Sequence, residues 1–438
     1  MRILFDSKQL QYKDPFGTLT PDQACTLHIH IPTSVEATKV TCVLQYEYGV
    51  TAQAISLEFE KKKGLYDIFR GEFSIPQTGL YFYYFFVDTD RGGFHLYKQG
   101  DDTNMEAGDR WQVSCIPSGF TTPDWAKGAT MYQIFPDRFY KAGKVDLKGK
   151  LEPYTVHQDW YEDVDWRPNK EGVILNNDFF GGNFKGIAEK MDYIASLGVT
   201  ILYLNPIGKS FSNHRYDTGD YKTPDPMLGT MADFSAMCQS AHARGIKVIL
   251  DGVYSHTGSD SLYFNRQKSF PGVGAYNAEN SPYSTWYTFQ KWPNQYTSWW
   301  GFDTLPTVNK MDPKYMDYII EAKDSVVAHW MGAGADGFRL DVADELPDAF
   351  IAALKKQIRQ IRPDALLIGE VWEDASNKSA YGIRRRYFVD GELDSAMNYP
   401  FRTAIPNFLR DRDDGCGLKN TVMTIAENYP RDVLLCNM

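Results

Sequence analysis

The sequence predicts an α/β protein. The fold expected is a (β/α)8 TIM barrel, incomplete at its carboxy terminus, preceded by an all-β sandwich and carrying a small domain inserted after the third barrel strand. Three observations predict it. From about Pro123 onward, strand-like apolar runs alternate with helical patterns, as serial βα units over a parallel sheet do. The polar clusters fall at the carboxyl ends of those runs, where such barrels keep their chemistry. Residues 1 to about 120 instead show short strands broken by Gly, Asp and Pro, with no amphipathic helix.

Taken in order, Thr26–Ile31 alternates and is stopped by Pro32; Lys39–Leu44 and Tyr81–Val87 are further strands of the sandwich. The first barrel strand is Met131–Phe135. A helix is expected over Phe184–Leu197, a strand over Thr200–Leu204, a helix over Met231–Arg244 and a strand over Ile246–Leu250. A long connection follows, then a helix over Pro313–Gly332. Strand Gly337–Asp341, helix Leu346–Ile361 and strand Ala365–Trp372 make one βαβ unit. Weaker strands are read at Leu393–Met397 and Val433–Cys436, seven barrel strands in all. The domain boundaries are 1–122 for the sandwich, 123–438 for the partial barrel and 257–309 for the insertion.

Composition bounds the function. The net charge of −10 and the lack of any basic tract argue against nucleic acid. No run reaches membrane-spanning length, and Met1–Asp6 lacks the apolar stretch of a secretory leader, so a cytoplasmic protein is expected. Six scattered cysteines form no C-x-x-C pair. Aromatic residues reach 15%, many in polar stretches where they can either pack or stack against sugar rings.

The chemistry is concentrated in Gly337-Phe338-Arg339-Leu340-Asp341. Residues two apart on a strand share a face, so Arg339 and Asp341 are expected side by side, with the guanidinium holding the carboxylate ionised. An ionised, fixed carboxylate is what a nucleophile at a sugar carbon requires; an isolated R-x-D is more often a strand-end ion pair. The next strand, however, ends in Glu370. Neighbouring strands lie about 4.8 Å apart, which brings the two carboxylates near the roughly 5–5.5 Å separation of retaining glycosidases. Elsewhere, Asp251 and His256 close the third strand, and Tyr216 offers a face for a pyranose.

Together these stretches resemble the α-amylase superfamily, glycoside hydrolase family 13. Asp251-Gly252-Val253-Tyr254-Ser255-His256, Gly337 to Glu345 and Gly369-Glu370-Val371-Trp372 are similar to its first three signatures, and Leu305-Pro306-Thr307-Val308-Asn309 stands in the place of another. The resemblance covers roughly residues 125–438; the amino-terminal domain is similar to that of the neopullulanase, cyclomaltodextrinase and maltogenic amylase branch. It implies a retaining hydrolase of α-1,4 glucosidic bonds, with a range extending to α-1,6 bonds, in starch, pullulan, maltodextrins or cyclodextrins. Asp341 is implied as nucleophile and Glu370 as general acid and base. Arg339 and His256 are implied as ligands of the sugar at the cleavage point, Tyr216 as its stacking platform, Trp372 and Glu345 as the leaving-group side, and Asp251 as an orienting neighbour. Tyr283, Trp286, Trp292, Trp299 and Trp300 would shape the cleft. The partner implied is an α-glucan, and relatives suggest a homodimer through the amino-terminal domain. No cofactor is expected.

Three departures stand out. Ser255 replaces an Asn that often binds calcium in the family, so calcium is not expected there, although Asn177 and Asp178 offer a different place for it. Asp344 replaces an Asn usual in the branch. The fourth signature, a His-Asp pair supplying a third carboxylate, is missing, so this chain is expected to be a nearly inactive, poorly soluble part of an active enzyme. The alternative is a non-catalytic glucan-binding protein on the same fold.

Overall fold

A computed structural model describes residues 4–100 and 102–437; residues 1–3, part of the stretch read for a leader, lie outside it. The chain forms two compact units, one of residues up to Thr121 together with Val371–Asn437, the other of Thr122–Glu370.

In the first unit the alternating pattern becomes antiparallel strands Cys25–Pro32, Ala37–Tyr46, Val50–Lys63, Tyr66–Phe73, Gly79–Thr89 and Gly92–Gln99. The long strand Val50–Lys63 pairs with Ala37–Tyr46 through its first half and with Tyr66–Phe73 through its second. It thus passes from one half of the sheet to the other, and the two inner faces share one core. Phe5 sits at its centre, 4.8 Å from the ring of Phe85 and 5.0 Å from Trp111.

This unit also corrects two sequence expectations. Leu393–Met397 yields only a two-residue strand, Ser395–Ala396. The strand expected at Val433–Cys436 is a helix, Arg431–Leu435, entered from Pro430. Val433 and Cys436 are buried while Leu435 is exposed, a spacing of three that belongs to a helix and not to a strand.

In the second unit, five strands lie side by side in chain order: Met131–Ile134, Ile201–Leu204, Lys247–Gly252, Gly337–Leu340 and Leu366–Gly369. All four pairings are parallel. The register is uninterrupted, with Leu204 opposite Leu250, Leu250 opposite Phe338 and Leu340 opposite Gly369, so all the carboxyl ends reach one edge. Close approach of the last two strands depends on Gly337, whose missing Cβ would lie 2.1 Å from the carbonyl oxygen of Leu366.

The crossover helices follow the expected pattern with two interruptions. The helix read over Phe184–Leu197 breaks at Lys190 into Phe184–Glu189 and Met191–Ser196. That over Pro313–Gly332 divides into Pro313–Met316, a wider turn over Asp317–Glu321 and Val326–Ala333. The last piece restarts at Ser325, whose hydroxyl accepts from the backbone of Ala328 at 3.3 Å. Helix Asp348–Ile361 buries Phe350, Ile351, Leu354 and Ile358 along one stripe.

Candidate active site

Asp251 and Arg339 are register partners on adjacent strands, and their side chains meet on one face: Arg339 Nη1 donates to Asp251 Oδ1 at 2.8 Å. The same nitrogen lies 3.1 Å from Asp341 Oδ1, and Nη2 lies 2.7 Å from Glu370 Oε2. One guanidinium therefore joins three carboxylates. It bridges Asp341 and Glu370, keeping them inside the limit of roughly 9.5 Å for paired-acid glycosidases. Backbone bonds continue the ladder beneath both acids, from Asp341 N to Gly252 O at 3.1 Å and from Glu370 N to Leu340 O at 3.0 Å. Arg339, Asp341 and Glu370 are only 4%, 6% and 8% exposed.

Between the two acids the backbone is strained. Val342 has φ +37°, unfavourable for a β-branched residue. Its N–H donates to Glu370 Oε2 at 2.8 Å. Strain of this kind costs on the order of 1–3 kcal/mol and persists only where the surroundings enforce it.

The charge state differs from the sequence expectation. Burial, followed by the charge of Asp251, pushes Asp341 up to about 8, and Arg339 only partly offsets this. Burial raises Asp251 as well. Three buried carboxylates around one cation thus retain a proton that an isolated Asp would have lost.

The other predicted residues are placed as follows. Tyr216 donates its hydroxyl to Asp251 Oδ2 at 2.9 Å. His256 is buried and pushed down to about 4, hence neutral near pH 7. Its Nε2 lies 3.1 Å from the Tyr216 carbonyl and its Nδ1 2.8 Å from the Ser255 hydroxyl. Both ring nitrogens have protein partners, so binding a sugar would require Nε2 to be shared or released. Glu345 accepts from the indole of Trp300 at 3.0 Å. Trp372 belongs to the other unit and is 42% exposed. Of the aromatic residues in the insertion, Trp286 is largely buried among the rings of Tyr263, Tyr283, Tyr315 and Tyr318.

Two contributors were given no role by the sequence reading. Tyr203 donates to Asp251 Oδ2 at 2.6 Å. Asn205 donates to the Tyr216 hydroxyl at 3.1 Å and accepts from Gln133 at 3.0 Å. Their signal was the two-residue alternation of Tyr203 and Asn205 at the end of the second strand.

The Asp178 carboxylate, one of the places the sequence offers for calcium, accepts from Arg138 and Asn213 and lies 3.0 Å from His157 Nε2. Ser255 is spent on His256. Among the described residues no cluster of His, Cys, Asp or Glu is arranged to hold a metal ion, and no helix is long and apolar enough to cross a membrane.

Comparison with known proteins matches residues 133–429 to the α-amylase catalytic domain. The amylopullulanase of Thermoanaerobacterium saccharolyticum is 34% identical over 473 residues, covering 96% of this chain and 36% of that protein. Neopullulanase 2 of Thermoactinomyces vulgaris is 36% identical over 296 residues, covering 66% of this chain and 45% of that protein. This chain therefore spans well under two thirds of the length of these relatives. Among solved structures, the type III pullulan hydrolase from Thermococcus kodakarensis aligns with a TM-score of 0.59 at 25% identity, covering 98% of this chain and 70% of that one.

Proposed function

The chain belongs to the α-amylase family, matched over residues 133–429, and from that premise we propose that it is a retaining α-glucan hydrolase with Asp341 as nucleophile and Glu370 as general acid and base. The observation that carries the reading is the single guanidinium of Arg339 holding both carboxylates at one sheet edge.

For cleavage Glu370 must enter as the acid and Asp341 as the carboxylate. Glu370 gives its proton to the glycosidic oxygen as that bond breaks, and Asp341 attacks the anomeric carbon to form a glycosyl ester. Glu370, now a carboxylate, then deprotonates the water that releases the sugar. Arg339 offsets the negative charge that two close carboxylates would otherwise accumulate. Asp251 fixes Arg339 from one side and, through Tyr203 and Tyr216, fixes the rim of the second strand from the other. Tyr216 offers its ring to the sugar at the cleavage point.

The names of the relatives, amylopullulanase and neopullulanase, support α-1,4- and α-1,6-linked glucans as substrates. A product chromatogram on starch, pullulan, cyclodextrins and sucrose tests the substrate class; release of products from sucrose alone would contradict it. A cytoplasmic location and dimerisation through the amino-terminal domain complete the reading; sedimentation of the purified protein checks the latter.

A further inference from the structure

The His256 ring is held at both of its nitrogens. Nε2 lies 3.1 Å from the backbone carbonyl oxygen of Tyr216, and Nδ1 lies 2.8 Å from the Ser255 hydroxyl. A carbonyl oxygen only accepts, so the bond at Nε2 uses an N–H. Burial keeps the ring neutral near pH 7, and a neutral imidazole carries one N–H. Nδ1 is therefore a bare lone pair, and the Ser255 hydroxyl donates to it. The other tautomer would set the Nε2 lone pair against the Tyr216 carbonyl oxygen.

The two anchors differ in what a substrate does to them. Nε2–H is the one proton that the neutral ring can offer to a sugar oxygen, and using it there shares or breaks the bond to Tyr216. The bond at Nδ1 is untouched, and Ser255 is wholly buried. The backbone around Ser255 is secured by other groups. The Tyr221 hydroxyl donates to Val253 O at 2.9 Å and lies 3.1 Å from His256 O. Tyr315 donates to Tyr254 O at 3.0 Å, and Val308 N donates to Ser255 O at 3.1 Å. What the Ser255 hydroxyl adds is therefore control of the ring itself, its tautomer and its rotation about the Cβ–Cγ bond.

We propose that Ser255 is a positioning residue: by donating to Nδ1 it keeps His256 in the Nε2–H tautomer, with its ring fixed, when that N–H turns from the Tyr216 carbonyl to an oxygen of the sugar at the cleavage point. The inference rests on the α-glucan reading above and adds the group that prepares His256 for its part in it. The position is one where the sequence departs from its family, a serine standing in place of an asparagine. Without the hydroxyl the ring is hydrogen-bonded through Nε2 alone, the bond for which substrate competes. The bound state then loses more than the free protein, because the ring must be ordered at the moment of binding.

The test uses the Glu370→Gln background, which holds maltoheptaose without turning it over, with isotope-labelled histidine. Nitrogen NMR shows His256 with a proton on Nε2 and none on Nδ1, both free and with maltoheptaose bound; the His256→Gln variant identifies its signals. Adding Ser255→Ala weakens maltoheptaose binding by about 10-fold in calorimetric titration, the weight of one hydrogen bond, and mixes the two tautomers in the complex. Adding Ser255→Thr, which keeps the hydroxyl, restores both. Thermal unfolding of the variants is compared alongside. A proton on Nδ1 in the parent, unchanged affinity in Ser255→Ala, or a loss that Ser255→Thr does not recover overturns the role of Ser255 while leaving the glucan reading intact. Failure of the Glu370→Gln protein to bind maltoheptaose, or binding undiminished by His256→Gln, overturns the reading on which it rests.

Discussion

Arg339 Nη1 lies 3.1 Å from Asp341 Oδ1, two positions further along the same strand. The other arm of the guanidinium reaches Glu370. A lysine, with one compact ammonium, cannot span both acids and Asp251 in this way. Arg339→Lys is expected to lower kcat/KM on maltodextrin by about 10²–10³-fold, comparable to the loss of one fixed donor in a preorganised site. Steady-state kinetics with circular dichroism as a folding control measure it; a loss below a few-fold would mean that the bridge is incidental.

The two acids are expected to respond differently to leaving-group chemistry. Glu370→Gln loses about 10²–10⁴-fold on maltodextrin, the usual contribution of general acid–base catalysis. It loses far less on an aryl α-maltoside, whose phenol departs without a proton. Asp341→Asn is impaired on both substrates. Equal losses for the two variants on both substrates would reverse or void the assignment.

Protonation of Asp341 should be visible in stability. Its ordinary value of 3.8 applies to the unfolded chain, and burial with the charge of Asp251 raises the folded value to about 8. Between those values the folded state binds more protons than the unfolded one, so this group's contribution is fully present at low pH and is lost as pH rises towards 8. Asp341→Asn removes that loss. Its melting temperature should therefore gain on the parent's between pH 5 and pH 8, by at least about 2–4 °C, the shift that roughly 1 kcal/mol makes in a domain of 150–250 residues. Parallel melting curves across that range would show that Asp341 is ionised throughout.

Two glycines separate close packing from helix propensity. At Gly337 a Cβ would meet the Leu366 carbonyl at 2.1 Å, so Gly337→Ala must push the strands leading to Asp341 and Glu370 apart and should cost at least about 1–3 kcal/mol. At Gly332, inside helix Val326–Ala333, a Cβ meets nothing within 4 Å. Gly332→Ala should stabilise by roughly 0.5–1 kcal/mol. Denaturant melts of both variants give the two signs.

Much of this architecture was legible because it rests on short-range rules. The R-x-D alternation placed Arg339 beside Asp341, and one βαβ unit placed Glu370 on the neighbouring strand. The rest depends on partners far apart in sequence. Lys150 is wholly buried against Asp225, 75 positions on, at 2.8 Å, and Arg215 shares that carboxylate; nothing local marks the three as a cluster. Tyr203 looked like one more aromatic residue in a buried strand, because parallel strands are apolar on both faces. Val433–Cys436 is too short a run for period to separate helix from strand. R-x-D displays the cation beside Asp341, while the burial and the Asp251 charge that push its carboxyl up appear only in three dimensions.

The role of Asp341 is tested most directly by trapping. The protein is incubated with a fluorinated α-maltosyl fluoride that forms the glycosyl–enzyme quickly and releases it slowly, then digested and analysed by mass spectrometry. The account predicts one maltosyl adduct, on the peptide carrying Asp341, and none in Asp341→Asn. An adduct on a different residue, or turnover without any adduct and with β-configured first product, would contradict it.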